Sequence, residues 1–186
     1  MHRSSRILIA LCAAMLPLAV QAHPGHESHA GFLQGVLHPL SGWDHLAVLL
    51  CLGVVAAGRG ARISTLCGGL LVLALGGGAA LGLNWHVDFV EPAIIATVAA
   101  CLLLLAFRRR ISAGAVLGLS MAFAAIHGIA HGQEAPGGDL AGYFAGFTLA
   151  GVALYAAGLL LASLRLPAQN GAPSTRRQPG KSPASR

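Results

Sequence analysis

The sequence predicts an all-α fold, a polytopic transmembrane helical bundle with about five spans in the mature chain after a signal peptide. Of 186 residues, 55% are hydrophobic and only 10% are charged. With a mean hydropathy of +0.71, that balance is too apolar for a soluble domain of this length. The apolar residues gather into runs near the ~20 residues that a bilayer core requires. The basic residues fall on alternate connections between those runs, as the positive-inside rule demands of a multi-pass protein.

At the N-terminus, residues 1–22 read as a secretory signal. Arg3 and Arg6 supply the basic region, Ile7 to Val20 the apolar region, and Val20-Gln21-Ala22 a small-residue cleavage site that would leave His23 first. The transmembrane domain is expected over 23–166, with spans at about 34–57, 62–82, 89–107, 111–131 and 140–164. Small-xxx-small pairs at Gly78/Gly82, Gly114/Gly118 and Gly142/Gly146 suit close helix approach. The remaining segment, 167–186, is rich in Pro, Ser, Gly and basic residues and is expected to be a disordered cytoplasmic tail.

If five spans alternate, Arg59, Arg62, Arg108, Arg109, Arg110, Arg165, Arg176, Arg177, Lys181 and Arg186 all share one side, the cytoplasmic one. The expected location is therefore the inner (plasma) membrane, with the mature N-terminus outside. The acids and the mature histidines lie at the opposite side or in the outer part of a span. Trp43, Trp85 and Tyr143 are expected at that outer boundary as interfacial aromatics. The net charge of +6 thus reports topology and contact with anionic lipid. A nucleic-acid surface would need a basic face with stacking aromatics, and none is present.

Two ionisable clusters interrupt the apolar runs. The first span carries His38-Pro-Leu-Ser-Gly-Trp-Asp44-His45 and the fourth carries His127-Gly-Ile-Ala-His131-Gly-Gln-Glu134. A charged group at the bilayer centre costs at least ~2.5 kcal/mol, so such residues mark a pathway, a relay or a ligand site. Imidazole with carboxylate is a divalent-metal donor set. At 100° per residue, His127, His131 and Glu134 fall within about 60° of one another, on a single stripe. On a regular helix His38 and His45 lie about 20° apart, whereas Asp44 lies about 120° from His38. Pro39 suits a first helical turn and places His38 at the start of a helix. Asp44 is either a direct ligand or an acceptor that fixes a histidine tautomer. Glu91, ahead of Pro92 in the third span, completes the candidate metal set of His38, Asp44, His45, Glu91, His127, His131 and Glu134. The bland counterparts are core histidines satisfied by backbone carbonyls and a Glu91 that serves a helix N-terminus. His86 and Asp88 read as loop residues, His23, His26 and His29 as a flexible external segment, and the cysteines, which lack CxxC spacing, as buried small hydrophobes.

The pattern His38-x5-Asp44-His45 with His127-Gly-x-Ala-His131-Gly-x-Glu134 resembles the HupE/UreJ family of hydrogenase and urease accessory membrane proteins. The likeness covers nearly the whole mature chain; Ile126 stands where the family often has Phe. The resemblance implies that nickel, or cobalt, permeates into the cytoplasm for metalloenzyme maturation, with the motif residues needed for transport. Cytoplasmic metal-delivery proteins would be the partners beyond the ion and the bilayer. No organic cofactor, nucleotide motif or catalytic nucleophile is expected, and the chain is not expected to be an enzyme. A divalent cation moving inward gains about 4.6 kcal/mol per ~100 mV, so ATP hydrolysis is not required. Two rivals come from other classes: a b-type haem held between spans for electron transfer, and a purely structural subunit.

Overall fold

A computed structural model describes residues 31–164; the signal segment, His23, His26, His29 and the basic tail lie outside the described residues. Six helices follow one another: α1 (Phe32–Ser41), α2 (Trp43–Ala57), α3 (Ala61–Asn84), α4 (Val90–Phe107), α5 (Ala113–Gln133) and α6 (Leu140–Ser163). No strand occurs among the described residues. Helices α3 to α6 are each long and apolar enough to cross a membrane, and α1 with α2 makes a fifth crossing if the pair counts as one.

The first span, expected over about 34–57 with a helix starting at His38, instead forms two helices. It is broken at Gly42 and bent by 81°. Pro39 sits in the last turn of α1 rather than the first, and it removes one intrahelical N–H. Gly42 then turns extended, with ψ 114, while its N–H and the Ser41 hydroxyl both donate to the His38 carbonyl at 3.1 and 2.9 Å. Both halves advance in the same sense along α6: Gly35 abuts Tyr143 and Phe147, and Gly53 abuts Tyr155 and Gly158. The pair therefore behaves as one broken crossing.

Close packing follows the glycines, because lipid is as apolar as the core and hydrophobicity alone cannot hold helices together. Helices α3 and α5 run side by side in the same direction. A Cβ on Gly132 would collide with the Ala79 carbonyl and lie 2.8 Å from Gly82 Cα; Gly78 meets the Ala125 carbonyl in the same way. The Gly142/Gly146 pair admits α1. The Gly114/Gly118 pair meets nothing within 4 Å and holds no helix contact among the described residues.

The two ends differ chemically. At the basic end, the Arg59 guanidinium donates to the Arg108 carbonyl, tying the α2–α3 turn to the α4–α5 turn. At the acidic end, Gln133 Nε2 donates to His86 Nδ1 at 2.8 Å, and His86 Nε2 lies 3.3 Å from Asp88. Trp85 is exposed there, as an interfacial aromatic should be, but Tyr143 is buried in the core. Cys51, Cys67 and Cys101 are buried, and no disulfide forms among the described residues.

Candidate metal site

The break at Gly42 opens α2 with Asp44 and His45 in its first turn, where the helix dipole favours a carboxylate. Asp44 Oδ1 lies 2.9 Å from His45 Nδ1. An ionised carboxylate only accepts, so Nδ1 carries the proton and His45 Nε2 keeps a lone pair. Glycine is needed at position 42 for space and not for its backbone angle. Its φ of −83 is ordinary, yet a Cβ there would crowd Asp44 Oδ1 at 2.9 Å, and His45 Nδ1 as well.

His45 Nε2 points directly at His131 Nε2. His131 is 1% exposed, and its Nδ1 has no hydrogen-bond partner. The His38 ring meets His131 edge-on at 4.6 Å between centroids and lies 5.6 Å from His45. Donor atoms of His38, His45 and His131 lie within 4.8 Å of one another, and so do those of Asp44, His45 and His127. His45 belongs to both groups. The bend matters here, because it lets His38 on α1 and His45 on α2 approach His131 from two directions.

His127, also buried, reaches a residue that the sequence reading passed over. Its Nε2 lies 3.0 Å from Thr97 Oγ1 on α4, and that oxygen lies 2.7 Å from the Ile94 carbonyl. A carbonyl can only accept, so the Thr97 hydroxyl donates to Ile94 and accepts the His127 Nε2 proton. His127 Nδ1 is left with the lone pair. The available signal was spacing: Thr97 and Cys101 are the polar residues of α4 beyond Pro92, four apart on its buried face.

Glu91 and Glu134 stay outside both groups. Helix α5 ends at Gln133 with Glu134 as its C-cap, yet the Glu134 N–H still bonds the Ala130 carbonyl at 2.9 Å, so Glu134 closes the stripe of His127 and His131 while its carboxylate lies outside both donor groups. Glu134 and Glu91 are exposed. The Glu134 carboxyl is nonetheless in electrostatic range of His45, Glu91 and Asp44. Phe147 packs 4.1 Å from the His131 ring and closes the cluster laterally. Toward the basic end lies a cavity of about 10 Å³, bounded by His45, His127, Leu52, Leu75, Phe123 and Phe147, near the lower limit for one water.

The fold and this site together define a multi-pass helical membrane protein whose apolar core adjoins clustered imidazoles and a carboxylate. Comparison with known proteins gives the class a family. Residues 10–180 match the family described as HupE / UreJ protein. The chain is 37% identical over 166 residues to "Protein HupE" of Rhizobium leguminosarum bv. viciae, covering 87% of this chain and 85% of that protein. The chain belongs to the HupE/UreJ family. No solved structure matches it.

Proposed function

We propose that this protein conducts a divalent transition metal, nickel before cobalt, inward across the plasma membrane to supply hydrogenase or urease maturation. The observation that carries the reading is the Asp44–His45 pair, which aims one imidazole lone pair at His131 from within two overlapping three-residue donor groups. A carboxylate behind an imidazole raises its basicity and fixes its orientation toward a metal. In this reading the acidic end faces outside, Glu91 and Glu134 draw cations to the mouth, and the histidine cluster captures and dehydrates them. The membrane potential, at ~2.3 kcal/mol per charge per ~100 mV, drives the ion inward. The preference for nickel rests on family resemblance, because imidazole and carboxylate also accept cobalt, zinc and copper.

Haem is the weaker alternative on geometry. The imidazole rings of His45 and His131 pack 4.5 Å apart beside a cavity of about 10 Å³, which leaves no flat slot for a macrocycle. The purified protein in proteoliposomes, with an inside-negative potential, is expected to take up Ni²⁺ at a rate that saturates with concentration. Protein-free liposomes matching that rate would refute the reading.

A further inference from the structure

We infer that Cys67, Ser120 and Tyr155 form a second, weaker metal waypoint on the inner side of the histidine cluster, a neutral release site through which the ion leaves. The inference deepens the transport reading and rests on it. Along α5, Ser120 lies two turns from His127 on the same face, about 10 Å closer to the basic end at ~1.5 Å per residue. No polar side chain intervenes along α5 between Ser120 and His127, or along α3 between Cys67 and Leu75. On α3, the buried stripe Leu75, Leu71 and Cys67 descends from the cavity beside His45 and His127. On α6, Phe147, Gly151 and Tyr155 descend in parallel at helical spacing.

The three stripes converge on one polar spot. Cys67 and Ser120 are both 0% exposed, and the Cys67 thiol lies beside the Ser120 and Tyr155 hydroxyls. Ser120 Oγ has no hydrogen-bond partner of normal geometry. A fully buried hydroxyl whose nearest partner is a weakly hydrogen-bonding thiol is costly to keep in an apolar core. Tyr155 then leads outward: its hydroxyl donates to the Ser64 carbonyl at 2.7 Å, and both residues line an open groove of about 550 Å³ beside Ala57 and Gly60, at the basic end.

The donor types fit release better than capture. A protonated thiol is a poor metal ligand, and with two hydroxyls and a carbonyl it supplies no fixed negative charge, so the group holds a divalent ion far less firmly than imidazole backed by carboxylate. Conduction needs such a gradient, with binding strong enough to admit the ion and weak enough to let it go.

The test measures initial Ni²⁺ uptake by the full-length protein in proteoliposomes, together with equilibrium Ni²⁺ binding in detergent. The Cys67→Ala/Ser120→Ala double variant should lower the maximal rate about tenfold, equivalent to ~1.4 kcal/mol, with half-saturation and Ni²⁺ affinity unchanged. Cys67→Ser, which retains a donor, should keep most of the parental rate. A double variant transporting at the parental maximal rate overturns the waypoint alone. So does a Cys67→Ser variant as slow as the double variant, because a packing defect then accounts for the loss. A parent that carries no Ni²⁺ overturns the transport reading and the waypoint with it.

Discussion

Replacing Thr97 by valine exchanges one hydroxyl for a methyl at constant shape, so it removes the acceptor of His127 without altering the packing. The hydroxyl lies 3.0 Å from His127 Nε2 and 2.7 Å from the Ile94 carbonyl, in a position that is 3% exposed. Valine leaves the Nε2 proton without an acceptor in a buried site, a loss of about 1–3 kcal/mol, and frees the ring to take the other tautomer. At ~1.4 kcal/mol per decade that corresponds to roughly 5- to 150-fold, which brackets the 10- to 100-fold typical of losing a partner behind a metal ligand. Equilibrium dialysis of Ni²⁺ against detergent-solubilised protein should therefore show affinity weakened about tenfold or more in Thr97→Val. Thr97→Ser, which keeps the hydroxyl, should stay near the parent. Parental affinity in a folded Thr97→Val variant would refute the tautomer argument, and so would equal losses in the two variants.

Three further outcomes are expected. Gly132→Leu drives a side chain into the Ala79 carbonyl and the Gly82 backbone and should abolish a monodisperse size-exclusion peak, whereas Gly76→Leu, with nothing within 4 Å of its Cβ, should leave it intact. Glu91→Gln and Glu134→Gln, exposed at the mouth and outside both donor groups, should raise the Ni²⁺ concentration for half-maximal uptake at low ionic strength while sparing the maximal rate. Their effect should fade as salt screens the charges, over the ~8–10 Å Debye length of physiological buffers; a salt-independent loss of maximal rate would instead make them ligands. Acidification should slow uptake at limiting Ni²⁺ and excess metal should restore it, because an imidazole must be neutral to bind and protons compete for the same lone pair; initial rates at fixed membrane potential check this.

Much of the architecture was legible because a bilayer imposes length and charge rules. The apolar runs at 62–82, 89–107, 111–131 and 140–164 became α3 to α6 with ends shifted by at most two residues, and the arginines mark the end where Arg59 meets Arg108. Inward-facing sides were less legible, since core and lipid are equally apolar and only the glycine spacing carries that information; it pointed correctly at Gly78/Gly82 and Gly142/Gly146 and failed at Gly114/Gly118. Within the site, His127 and His131 share a stripe as helical geometry requires. His38 and His45 meet it through a bend that a regular helix could not anticipate, although Pro39 and Gly42 were visible as its ingredients. Glu134 ends the stripe in helical register with Ala130, but its exposed carboxylate belongs to neither donor group. Tyr143 reads as an interfacial aromatic from its position near a span end, which does not reveal that α1 packs there and that the residue is buried. Thr97 was missed because a threonine hydroxyl in a helix is commonly satisfied by its own backbone, and only the partner helix reveals a second contact.

The central claim is that one imidazole centre built around His45 holds the transported ion. Nickel K-edge X-ray absorption of the Ni²⁺-loaded, detergent-solubilised protein tests this most directly. The parent should show the outer-shell scattering of coordinated imidazoles, with two or more histidines per nickel, and His45→Ala should lose most of it. A spectrum of hydrated nickel in the parent, or identical spectra in the parent and His45→Ala, would contradict the account.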